Sequence, residues 1–90
     1  MAKIIWTEPA IAELDEVADY IALDNPDAAK NLVNKIFNKI SKLKTFPALG
    51  QKVRDLAGQE YRVVTVSPCR IYYRVDGAKI YVLYVRGKRS

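Results

Sequence analysis

An α+β domain of order β-α-α-β-β-β, with a helical hairpin packed on one face of a small and mostly antiparallel sheet, is expected from three features of the chain. A short β-branched and aromatic start, "KIIW", is cut off by a capping threonine. Two segments with helical apolar periodicity follow, joined only by "LDNP". The C-terminal half then holds three β-rich runs separated by tight turn signals.

Each element has a local cause. Thr7 suits a helix N-cap, with Glu8 and Pro9 in the first turn. Ile11, Leu14, Ala18 and Ile21, with Val17 and Ala22 beside them, recur at spacings of three and four, which predicts one amphipathic helix over about residues 8 to 23. Asn25, Pro26 and Asp27 restart a helix as cap, first residue and dipole-complementing acid. Its apolar stripe is Ala29, Leu32, Val33, Ile36, Ile40 and Leu43, widened by Phe37, and Pro47 forbids continuation. So short a connection implies an antiparallel hairpin. "FPALGQKVRDLAGQ" reads as a loop on its proline and glycines. The runs "EYRVVTVS", "CRIYYRV" and "KIYVLYVR" then form a meander, turned by Ser67-Pro68 and by Asp76-Gly77.

Alternation along the middle run separates its faces. Ile71, Tyr73 and Val75 point one way and belong against the helices, and Arg70, Tyr72 and Arg74 point to the open face. Arg62, Arg86 and Arg89 are expected to join that open face, subject to any one-residue bulge.

Ninety residues, half of them hydrophobic, fit a single domain over 1–90 with a small core that a partner would stabilise. One cysteine excludes an internal disulfide, and without histidine a zinc site lacks its usual ligands, so neither metal nor cofactor is expected. No segment has the length of a membrane span or signal peptide, which predicts a cytoplasmic protein. Residues 1–27 hold one lysine against seven carboxylates, a balance of −6. Residues 28–90 hold fourteen basic against three acidic side chains, a balance of +11. The basic part is a candidate for meeting phosphates or an acidic protein segment. The lysines of the second helix are expected either to pair with the acidic first helix or to be solvated.

The order and spacing of "IIWTEPAIAELDEVADYIA", "DNPDAAKNLVNKI", "FPALG", "EYRVVTV", "CRIYYRV" and a closing "VRGKR" resemble the RelE/ParE superfamily of toxins from bacterial type II toxin–antitoxin (plasmid stabilisation) modules, over nearly the whole chain. The resemblance implies a toxin neutralised in a hetero-oligomer by a cognate ParD-like antitoxin with an acidic segment. It also implies one of two targets. RelE-like members cut mRNA on the ribosome, and ParE-like members inhibit DNA gyrase by binding.

Ribonuclease chemistry needs a base, an acid and cations around one phosphate. By the resemblance, Arg70 matches the RelE-type arginine on the middle strand, Arg89 matches the arginine of the terminal "GKR", and Arg62 sits near a position where that family places lysine. No histidine is present, no tyrosine follows "GKR", and Glu60, Tyr61 and Tyr72 are the remaining recruits, with a carboxylate in basic surroundings expected to be acidified. The ParE-like branch is therefore favoured, with no catalytic residue assigned. Target contacts are then expected at Arg86, Gly87, Lys88 and Arg89, and antitoxin contacts at Arg62, Arg70, Tyr72 and Arg74. A third reading from a different class is a non-toxic nucleic-acid-binding module, with Arg62, Arg70, Tyr72 and Arg74 as phosphate and stacking contacts.

Overall fold

In a computed structural model, which describes residues 2–54 and 58–87, the chain runs β1 (Lys3–Trp6), α1 (Glu8–Ala22), α2 (Pro26–Ser41), β2 (Gln51–Arg54), β3 (Glu60–Val66), β4 (Cys69–Asp76) and β5 (Lys79–Gly87). Among the described residues the strands form one sheet of order β1-β5-β4-β3-β2, antiparallel except for the parallel pair β1 and β5. Both helix starts have the expected caps. Thr7 Oγ1 accepts from the Ala10 N–H at 3.4 Å, and Asn25 Oδ1 accepts from the Ala28 N–H at 3.0 Å. The second helix stops short of the proline. It tightens into a 3₁₀ turn at Lys42–Lys44, and a second such turn, Pro47–Leu49, leads into the sheet.

The core lies between the helices and one sheet face. Ala10, Leu14, Leu32, Ile36, Ile40 and Leu43 meet Val64, Cys69, Ile71, Tyr73, Ile80, Val82 and Val85. Ala10, not Ile11, starts the α1 stripe. Ile11 is one helical step off the line through Leu14, Val17 and Ile21 and is 46% exposed. Phe37 is likewise exposed at the rim, where it packs edge-on against Trp6 with ring centroids 5.2 Å apart. Val75 points to the helix side, opposite Ile80, but stands beyond the helix cover and is exposed.

β2 is an element the sequence reading assigned to a loop. "QKVR" carries a single apolar residue, so no periodicity announces it. Its pairing with β3, Gln51 with Val63 through Arg54 with Glu60, makes it an edge strand. At the other edge β1 pairs β5 only as far as Val82, and α1 then takes over the strand's free side. Thr7 Oγ1 donates to the Val82 carbonyl at 2.7 Å, and the Val85 N–H donates to Glu13 Oε1 at 2.9 Å. One threonine thus caps a helix and continues a ladder.

Candidate functional site

The open face is built by register. Thr65, Arg70 and Arg86 stand in one row across β3, β4 and β5. Val63, Tyr72 and Tyr84 form the next, and Arg74 and Tyr81 a third that continues to Ile5 of β1. Each arginine lies over a tyrosine. The guanidinium carbons of Arg70, Arg74 and Arg86 are 5.9, 5.5 and 4.8 Å from the ring centroids of Tyr72, Tyr81 and Tyr84. Among the described residues no helix covers this side, so the rings and cations form an amphipathic surface of a kind enriched at protein interfaces.

A bulge makes the third pair possible. Tyr72 is opposite Tyr84, but Tyr73 is opposite Val82, so Leu83 is the extra residue of β5. Beyond it the alternation changes sign. Val85 enters the core and Tyr84 and Arg86 turn out, where strict alternation from Ile80 and Val82 would have buried them. The sequence reading had Arg86 on the correct face without identifying Tyr81 or Tyr84 as part of the site. Their signal is an aromatic at each side of the extra residue in "YVLY".

Arg62 is not on the open face, contrary to the sequence expectation. It pairs with Tyr73, whose side chain is fully buried on the helix side, and residues directly opposite share a face. There Arg62 Nη1 donates to the carbonyls of Gly50 at 2.8 Å and Ala48 at 3.3 Å. Tyr73 completes the clasp, since its hydroxyl accepts from the Gly50 N–H at 2.8 Å and donates to the Pro47 carbonyl at 2.7 Å. Burial pushes the Tyr73 phenol above its ordinary value, partly opposed by the Gly50 hydrogen bond and the Arg62 charge. The "FPALG" stretch is thereby fastened to the sheet.

Glu60 lies near this edge between Lys52 at 3.1 Å and Arg54 at 3.6 Å. The hydrogen bond and charge of Lys52 hold its carboxyl below the usual range. Arg86 is also engaged, 3.2 Å from Glu13 Oε2, with its side chain still 58% exposed. Gly87 is a close-approach position, because a Cβ there would stand 3.1 Å from Val17 Cγ2 of α1. Of the anticipated target contacts, Arg86 thus stands on the open face tied to Glu13, Gly87 ends β5 against α1, and Lys88 and Arg89 lie outside the described residues. Among the described residues no cluster of three metal-ligating side chains occurs, and no helix is long and apolar enough to cross a membrane.

A helical hairpin packed on one face of a five-stranded, mostly antiparallel sheet is the α+β RelE/ParE fold. The chain belongs to the ParE toxin family of the type II toxin–antitoxin system parDE, whose family model matches residues 4–90. It is 36% identical over 74 residues to Y4kP of Sinorhizobium fredii, covering 82% of this chain and 76% of that one. It is 30% identical over 87 residues to toxin RelE2 of Caulobacter vibrioides, covering 96% and 94% of the two chains. A chain from the chromosomal ParDE system of P. aeruginosa superposes with a TM-score of 0.78 at 27% identity, covering 99% of this chain and 98% of that one.

Proposed function

We propose that the chain is a cytoplasmic toxin held by a cognate ParD-like antitoxin, and that when released it inhibits DNA gyrase by binding and not by cutting a bond. An acidic antitoxin segment laid over Arg70, Tyr72 and Arg74 would set carboxylates against guanidiniums and apolar side chains on the tyrosine rings. Arg62 takes no part in that face.

One observation carries the choice of target. Arg62 and Arg70, two of the three cations a RelE-like reaction would use, project from opposite faces of the sheet and cannot converge on one phosphate. Nearby groups support the same reading. Glu60 is acidified and ion-paired, which suits it poorly as a base near neutral pH, and Tyr73 is buried with its hydroxyl committed to the Gly50 turn. Binding to a protein target makes no such demand.

Supercoiling by purified gyrase tests the proposal. The full chain is expected to inhibit it, the antitoxin to relieve the inhibition, and truncation after Gly87, which removes Lys88, Arg89 and Ser90, to weaken inhibition while leaving antitoxin binding intact. Site-specific cleavage of mRNA on translating ribosomes, abolished by Arg70→Ala, would replace this reading with the RelE-like one.

A further inference from the structure

The lysine side of α2 does not pair with α1. Lys35, Lys39 and Lys42 instead line, with Asn38, Thr65 and Val66, a shallow groove of about 270 Å³ between α2 and the end of β3. Among the described residues no carboxylate lies within 4.0 Å of any of the three, since the ion pairs there join Lys52, Arg54 and Arg86 to Glu60 and Glu13. The lining offers three ammoniums, an amide and a hydroxyl, and one apolar side chain. Lys35 to Lys42 spans about 10 Å of helix axis at 1.5 Å per residue. One strand of duplex DNA presents a phosphate about every 3.4 Å of its axis, so the lysines match a run of about three phosphates. Thr65 stands directly opposite Arg70, so the positive surface continues over the rim onto the open face.

We propose that this groove binds the sugar-phosphate backbone of duplex DNA without reading its sequence. A peptide partner would need apolar anchors at the centre of its contact, and Val66 alone is a poor one. A single strand would need rings to stack on, and no aromatic residue lines the groove. Phosphate recognition is independent of the toxin's target. The choice of DNA over RNA rests on the gyrase reading, because the DNA held by gyrase is the duplex nearest a bound inhibitor.

Fluorescence anisotropy of a labelled DNA duplex of arbitrary sequence, titrated with the full chain across about 50 to 200 mM salt, tests this. Replacing Lys35, Lys39 and Lys42 together by glutamine should weaken binding by about tenfold or more. The slope of log K against log salt should become shallower by about 2.7, roughly 0.9 per lost contact. Replacing Lys3, Lys30 and Lys79, which removes the same charge outside the groove, should cost no more than about threefold. Thermal melts by circular dichroism confirm that both variants fold. Equal losses in the two variants would overturn the proposal in favour of net charge. Tighter binding of a poly-glutamate peptide than of the duplex would overturn it in favour of a protein partner, and equal or tighter binding of an RNA duplex would overturn the assignment to DNA. Supercoiling assays on the same preparations separate the two proposals. Duplex binding without gyrase inhibition keeps the groove and removes the gyrase reading, and inhibition without duplex binding does the reverse.

Discussion

Tyr73 and Gly50 show how one side chain can hold a whole connection. The tyrosine hydroxyl both accepts and donates within the 47–50 segment, and a Cβ on Gly50 would lie 2.7 Å from its ring and hydroxyl. Gly50→Ala must push one of them aside, and we expect a loss of about 1 to 3 kcal/mol in urea unfolding. Tyr73→Phe leaves the Gly50 N–H and the Pro47 carbonyl unpaired, for a comparable loss of about 1 to 3 kcal/mol. The same hydroxyl sets a pH dependence. Its folded pKa is raised above the unfolded value of 10.0, so its contribution is complete below pH 10.0 and is lost as pH rises through the folded pKa. Stability should therefore fall on the alkaline side of pH 10.0, and less steeply in Tyr73→Phe, as thermal melts at stepped pH would show.

At the scale of elements, the junctions at β5 do most to shape the site. Leu83 is the extra residue that turns Tyr84 and Arg86 outward. Deleting it would leave Tyr84 and Arg86 outward and Val85 inward by plain alternation from Val82, so the faces survive and only the bulge is lost. We therefore expect the Leu83 deletion to keep a cooperative thermal transition with Arg86 still on the open face, and loss of that transition in a circular-dichroism melt would contradict this. Thr7 joins β1, α1 and β5 through one hydroxyl, and Thr7→Val, which keeps the shape and removes the oxygen, should cost about 0.5 to 2 kcal/mol in chemical denaturation. Glu13→Gln is milder. The amide oxygen still accepts from Val85, and the partly exposed ion pair with Arg86 contributes no more than about 1 kcal/mol.

Across the whole molecule, charge and cover are divided by side. The helices take one face of the sheet, the arginine and tyrosine rows take the other, and the lysine groove follows the rim between α2 and β3. A partner that binds only the folded state adds its binding energy to a small core. At an antitoxin concentration about a hundredfold above Kd the gain is about 2.7 kcal/mol. For a domain of this size that corresponds to a rise in Tm of roughly 10 to 20 °C, which differential scanning fluorimetry of the mixture would detect. Arg70→Glu with Arg74→Glu should abolish the rise while leaving the Tm of the isolated chain nearly unchanged, because both side chains are exposed.

Much of this arrangement was legible along the chain. The helix caps at Thr7 and Asn25, the apolar stripe of α2, the turn at Asp76-Gly77 and the split of Arg70, Tyr72 and Arg74 from Ile71 and Tyr73 are local matters of propensity and periodicity, which a sequence carries directly. Pairing between distant segments is not local. β2 exists because β3 offers it a ladder, Arg62 faces the helices because its register sets it opposite Tyr73, and Arg86 faces out because of one extra residue in β5. A strand has a side-chain period of two, so a single step of register or one bulge moves every following residue to the other face. The residues able to meet a partner were therefore present in the sequence, but the side of the sheet each one occupies was settled only when the strands paired.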